Sequence, residues 1–262
     1  MQAIAKEWRE TLAVAARLLR ELRRRRRSLI FWAIFPAITL VLQGLLLEER
    51  VPLLSRAAAF ERAAPATLVG AALFFSCMGG SVAAIVAERE QKTLKRLFIS
   101  PLGGTAYFLG IFLAHGAIAC GQSVLTYALA AAFGARVQGT LWAGFLVILL
   151  TVAAYVGVGF IFGTQLARRT EDANAAIATL GVPLLMLGGA FVPVNLFPES
   201  LQGLARYNPV HHAIQSLLGV WARGWPLAEV GGHITFLSIF AMTMVGLGWL
   251  AYRRMVRVEQ CL

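Results

Sequence analysis

Six stretches of this chain run for about a bilayer's thickness without a single Asp, Glu, Lys or Arg: Leu29 to Leu47, Ala63 to Ala87, Leu102 to Phe133, Leu141 to Ala167, Ala173 to Val192 and Gly231 to Tyr252. A helix of roughly 20 mostly apolar residues crosses about 30 Å of hydrocarbon. Each stretch is therefore read as a membrane span, the third long enough for its first residues to lie at the surface. Composition agrees, since only 14% of residues are charged against about 25% in ordinary soluble chains. The expectation is an all-α integral membrane protein with six transmembrane helices. Disorder, a coiled coil and most cytosolic enzymes are excluded.

Net charge is +11, but the cations lie between apolar runs rather than on one polar face, which points to membrane topology and away from nucleic acid. Placing the N-terminus inside puts 18 of the 24 Lys and Arg on the cytoplasmic side. Arg50, Arg56, Arg62, Arg136, Arg206 and Arg223 fall outside. The positive-inside rule thus predicts a multi-pass protein of the cell membrane with both termini cytoplasmic.

Residues 1–27 form a separate unit from the six-span body at 28–262. At 100° per residue Ile4, Trp8, Leu12, Ala15, Leu19 and Leu22 share an arc of about 80°, with Lys6, Arg9, Glu10, Arg17, Arg20 and Glu21 opposite. This pattern predicts an amphipathic helix lying in the interface with membrane lipid, its cations near anionic headgroups. The run Arg23 to Arg27 stops it from entering. Glu7, Glu10 and Glu21 argue against a mitochondrial presequence, which is poor in acids.

Motifs of catalysis are missing. There is no G-x-x-x-x-G-K-[ST] phosphate loop, H-E-x-x-H, G-x-S-x-G or paired-cysteine spacing. No catalytic residue and no metal ligand set is read, and Cys77, Cys120 and Cys261 make no disulfide framework. His115 alone lies well inside a span and is read first as a neutral packing residue, with His211, His212 and His233 as interfacial residues. Pro36, Gly79, Gly80 and Pro183 predict kinks and close helix approach. Gly159 and Gly163 form one G-x-x-x-G, read as packing within the bundle.

Two connecting segments are more than connectors. Residues 87–102 read AEREQKTLKRLFISPL. Leu94, Leu97 and Phe98 share one helical face, Arg89, Lys92, Lys95 and Arg96 the other, and Pro101 ends the turn. So short a helix needs a partner surface or the membrane. Glu88 and Glu90 would be repelled by an anionic leaflet, which favours the partner. Residues 191–224 are too apolar for an exposed loop. Pro198 opens a short helix ending near Asn208 and Pro209, and a second apolar helix follows from about His211 to Ala222.

These segments resemble the membrane subunits of ABC-2 type ABC transporters. The family's first loop typically reads E-R-E-x-G-T-L-x-x-L-x-x-x-P. Glu88, Arg89, Glu90, Thr93, Leu94, Leu97 and Pro101 stand at matching positions, while Lys92 replaces the usual glycine. The resemblance implies that this loop is a coupling helix docking into a separate ATP-binding subunit, with Leu94, Leu97 and Phe98 as the buried contact and Lys95 and Arg96 as the charged rim. Pro193, Pro198, Leu201, Leu204, Asn208 and Pro209 match the family's second pattern, P…P-x-x-L-x-x-L…N-P. There the segment forms short re-entrant helices that close the outer end of the pathway, which makes Pro193 to Val220, including Phe197, a candidate outer gate, with a plain interfacial platform as the alternative.

The resemblance further implies an exporter working as a pair of membrane subunits, alike or different. No cofactor is expected on this chain, because ATP and Mg belong to the partner. An apolar pathway favours an amphiphilic drug, lipid or glycan-type cargo. A membrane-embedded lipid-modifying enzyme and an ion-coupled carrier are the alternatives. The first would need converging reactive side chains, and the second would move cargo without ATP.

Overall fold

A computed structural model describes residues 2–91 and 103–260, all helical or irregular with no strand among them. The elements are α1 (Gln2–Arg24), α2 (Arg26–Arg50), α3 (Arg56–Glu90), α4 (Gly104–Ala132), α5 (Leu141–Leu166), α6 (170–187), α7 (Glu199–Ala205), α8 (209–222) and α9 (Gly231–Gln260). Five of them, α2, α3, α4, α5 and α9, are long and apolar enough to cross a membrane.

The fifth expected span, Ala173 to Val192, is a shorter affair. Its helix begins at Thr170 with Glu171 and Asp172 in the first turn, and it is stopped at Gly188 and Gly189, the latter at φ +88°. Eighteen residues at about 1.5 Å each give about 27 Å, two of them acidic. The positive φ, open to glycine, turns the chain sharply before Val192.

The central element is α3, buried along most of its apolar length, whereas α2 and α9 leave most of theirs exposed. Its middle, Thr67–Gly79, is wound as a π-helix, which broadens the turn where α2, α4 and α5 gather round it. Phe74 is fully buried there, edge-on to Tyr155 of α5.

Glycines set the closest approaches. Gly157 of α5 lies against the backbone of Met244 in α9, and Gly248 against the Gly157 carbonyl. Gly159 faces Ser81 and Gly163 faces Ile85, so the G-x-x-x-G seats α3 within this chain, as the sequence led one to expect.

The N-terminal helix α1 packs on α4. Thr11, Val14 and Ala15 are buried, with Leu18 half-buried behind them, and Val14 fits over Gly110. The exposed stripe is Ile4, Trp8 and Leu12. Those three belong to the arc assigned to lipid from the sequence, but Ala15 of the same arc turns into the bundle.

Candidate functional site

Three consecutive residues end α3, and each grips a different part of the bundle. Successive helical residues point about 100° apart, so a run of three sweeps round more than half the axis. Glu88 is 5% exposed, and its two carboxylate oxygens accept from the Arg17 guanidinium of α1 and the Tyr107 hydroxyl of α4. Arg89 donates to the carbonyls of Thr164 at 2.9 Å and Ala167 at 3.1 Å. Those carbonyls end α5, where open acceptors and the negative end of the helix dipole favour a cation. Glu90 accepts from the backbone N–H and the hydroxyl of Thr170, both at 2.9 Å, at the N-terminus of α6 where a carboxylate is favoured.

The other end of the loop is held by α1 as well. The Gly103 N–H donates to Glu10 at 3.0 Å, and the Thr105 hydroxyl to Glu7. Lys92, Thr93, Leu94, Lys95, Arg96, Leu97, Phe98 and Pro101 lie outside the described residues. Of the positions assigned to partner docking, Glu88, Arg89 and Glu90 therefore face this chain's own helices. Sequence reasoning missed Arg17, Glu7, Glu10, Tyr107, Thr164 and Thr170. One signal was present: Glu7 and Glu10 on a helix assigned to an anionic surface need partners, by the argument applied to Glu88 and Glu90.

At the opposite end of the bundle, Pro193 precedes a single 3-10 turn, Val194–Leu196, and Pro198 sits at the N-cap of α7. Asn208 is the pivot of the segment. Its side chain accepts from the Val210 N–H at 2.9 Å, capping α8, and donates to the Leu184 carbonyl of α6 at 2.7 Å. Pro209 occupies the first turn of α8, where its missing N–H costs nothing. Asn208 and Pro209 are buried, Phe197 and Leu201 half-buried, and Leu204 exposed. The first short helix starts after Pro198 as expected but ends at Ala205, short of Asn208, and the second starts at Pro209 instead of His211.

Three histidines cluster between α8 and α9. His212 Nε2 donates to the Arg206 carbonyl at 2.8 Å, which leaves Nδ1 as acceptor for the His233 Nδ1–H at 2.9 Å. His211 Nδ1 is buried without a hydrogen-bond partner. Burial, with His212 and His233 beside it, pushes the His211 imidazole down to about 4. Among the described residues no group of three His, Cys, Asp or Glu is arranged to hold a metal ion.

Residues 51–250 match the family described as ABC-2 family transporter protein. The chain belongs to that family. Relatives include a "Probable multidrug ABC transporter permease YbhR" of Escherichia coli K12, 27% identical over 157 residues that cover 56% of this chain and 42% of the relative. "Inner membrane transport permease YhhJ" of the same organism is 24% identical over 168 residues, 60% of this chain and 45% of the relative. "Nodulation protein J" of Rhizobium meliloti is 33% identical over 108 residues, 41% of this chain and 40% of the relative. The matches thus span less than half the length of each of these relatives. Membership and five long apolar helices make this a multi-pass membrane protein of transporter-permease type.

Proposed function

We propose that this chain is the membrane subunit of an ATP-driven exporter, with ATP and Mg bound by a separate subunit. The observation that carries the proposal is the fastening of both ends of residues 92–102. Glu88, Arg89 and Glu90 tie one end to α1, α4, α5 and α6, and Glu10 ties the other to α1. A push on that loop by a partner would reach four helices at once through bonds already in place. Closure of the ATP-binding subunits biases the helices because the two states of the partner hold the loop differently. At the other end, Asn208 joins α6 to α8, so movement of α6 carries the outer segment with it. A second membrane subunit would cover part of the apolar length that α2 leaves exposed, with lipid on the rest.

The uncharged apolar runs of the spans support an amphiphilic drug, lipid or glycan-type cargo. The chain's likeness to a probable multidrug permease supports the same class. The deciding experiment is copurification with the ATP-binding subunit and vesicle efflux, comparing the unaltered chain with Leu97→Asp. Loss of the ATPase from the purified complex together with loss of ATP-dependent efflux is the expected result. Full recovery of both would remove the docking role of the loop. Labelling of a cysteine at Leu204 is expected to differ between ATP-bound and ATP-free complexes, and equal rates would make the outer segment a static platform.

A further inference from the structure

The helices α1 and α2 are separated by one residue, Arg25, at φ −84° and ψ 65°. The turn opens a cavity of about 120 Å³ between α1, α2, α3 and α4, room for several water-sized groups. Its polar lining is Arg17, Arg25, Ser28 and Gln91 with the carboxylates Glu21 and Glu88, and the rest is mainly apolar, with Trp32, Ala84, Ala114 and Ile118. Gly80 keeps the floor open. A methyl there would stand 3.1 Å from both His115 Nε2 and the Trp32 ring. The histidine read from the sequence as a packing residue therefore lines this space, its Nδ1 held 2.8 Å from the Ile111 carbonyl.

The charges around the cavity are unequally engaged. Glu88 already accepts from Arg17 and Tyr107. Glu21 stands 3.9 Å from Arg17 Nε, beyond hydrogen-bond reach, and that buried Nε has no hydrogen-bond partner among the described residues. Arg25 forms no ion pair among the described residues. Unspent guanidinium capacity and a hydroxyl thus lie over an apolar recess, at the level where the Arg23 to Arg27 run is expected to meet headgroups. Guanidinium matches phosphate oxygens by charge and by its planar fork of donors.

We propose that this cavity binds one inner-leaflet phospholipid, its phosphate diester against Arg25 and Ser28, beside the Arg17–Glu88 pair, and the first part of its tail against Trp32 and Ile118. Phosphate is the shared chemistry of a lipid headgroup and a free anion, and the apolar recess selects the lipid. The site wedges a lipid between α1, which holds both ends of residues 92–102, and the three helices behind it. It stands whatever the cargo of the transporter proves to be.

The test is native mass spectrometry of the full chain released from vesicles of phosphatidylglycerol and phosphatidylethanolamine. The unaltered chain and Arg27→Ala, whose arginine is outside the lining, are expected to retain one phospholipid. Arg25→Ala with Ser28→Ala is expected to lower retention about tenfold, as loss of a charge-assisted hydrogen bond does. Equal loss in the Arg25 and Arg27 variants would mean diffuse surface attraction and overturn the site. Exchange on the unaltered chain decides the matter even if the double variant fails to fold. Displacement by millimolar inorganic phosphate would make it an anion site, and equal retention of a phosphate-free diglucosyl diacylglycerol would make it a plain acyl groove. Either result overturns the proposal.

Discussion

Arg17 of α1 and Glu88 at the end of α3, 71 positions apart in sequence, form an ion pair that is enclosed on one side and open on the other. The Glu88 side chain is 7% exposed and that of Arg17 32%. A carboxylate so placed is tolerable only while its partners hold it, since an uncompensated buried charge costs several kcal/mol. The polar face of α1 is therefore addressed to the loop end of the bundle and not to headgroups alone. Through Arg17, Glu10 and Glu7, one amphipathic helix governs where the loop begins and where it ends.

Replacing Arg17 by Ala strands Glu88 and is expected to destabilise the protein by about 3 kcal/mol. Glu88→Gln in the same chain should restore part of that loss, because the amide carries no charge. A double-mutant cycle read by thermal unfolding in detergent should give a coupling of about 1–3 kcal/mol. Strict additivity would show that the two residues do not support one another.

The spans were legible because hydrocarbon imposes a length and forbids charge, a constraint that each apolar run displays by itself. The start of the first short outer helix was legible for a local reason too, whereas Asn208, read as the end of that helix, turned out to cap the start of the second. Pro198 and Asn208 fix helix starts through the N–H that proline lacks and the N–H that asparagine caps. What depends on pairing was not legible. The arc containing Ile4, Trp8 and Leu12 is the most apolar on α1, yet the bundle takes the Thr11, Val14 and Ala15 face because Gly110 offers a groove for Val14. Glu88, Arg89 and Glu90 read as a docking motif because their partners lie on α1, α4, α5 and α6, far along the chain. The fifth expected span was overcounted in length because its apolar run continues through Gly188 and Gly189, where the helix ends.

Arg89 spans two carbonyls that stand three residues apart at the end of α5. Lysine offers a single point of charge and cannot reproduce the fork. Arg89→Lys is expected to cost about 1–2 kcal/mol and to raise amide exchange at residues 162–170 while leaving 2–24 unchanged. Hydrogen exchange by mass spectrometry reads both regions in one experiment. Unchanged protection at 162–170 would show that the charge alone suffices.

The seam between α3 and α5 allows a control within the same protein. A methyl on Gly159 would overlap Ser81 Oγ, whereas Gly116 and Gly121 of α4 face open space. Gly159→Ala is expected to destabilise by about 1–3 kcal/mol. Gly116→Ala and Gly121→Ala should be neutral or slightly stabilising, since alanine favours the helix. Adding Ser81→Ala to Gly159→Ala removes the overlapping atom and should recover part of the loss. Equal melting temperatures for all three single variants would show that the seam is not tightly packed.

The histidine cluster gives the outer segment a pH dependence of definite sign. His211 is held neutral by burial, its pKa lowered to about 4 from the ordinary 6.5, with His212 and His233 as the titratable groups bearing on it. A state in which α8 leaves α9 lets the ring titrate normally, so between about 6.5 and about 4 the released state binds more protons than the seated one. Seating is then fully favoured above about pH 6.5 and weakens as pH falls toward 4. His233 acts in the same direction, because burial, with His212 beside it, lowers the pKa of its ring as well. Labelling of Leu204→Cys in a Cys120→Ala, Cys261→Ala background, expressed relative to a small free thiol at the same pH because the thiolate is the reacting form, should therefore be faster at pH 5 than at pH 7.5. His211→Gln with His233→Gln should flatten the profile, because neither amide takes up a proton in this range. A pH-independent rate in the histidine-containing chain would show that the cluster does not hold the outer helices in place.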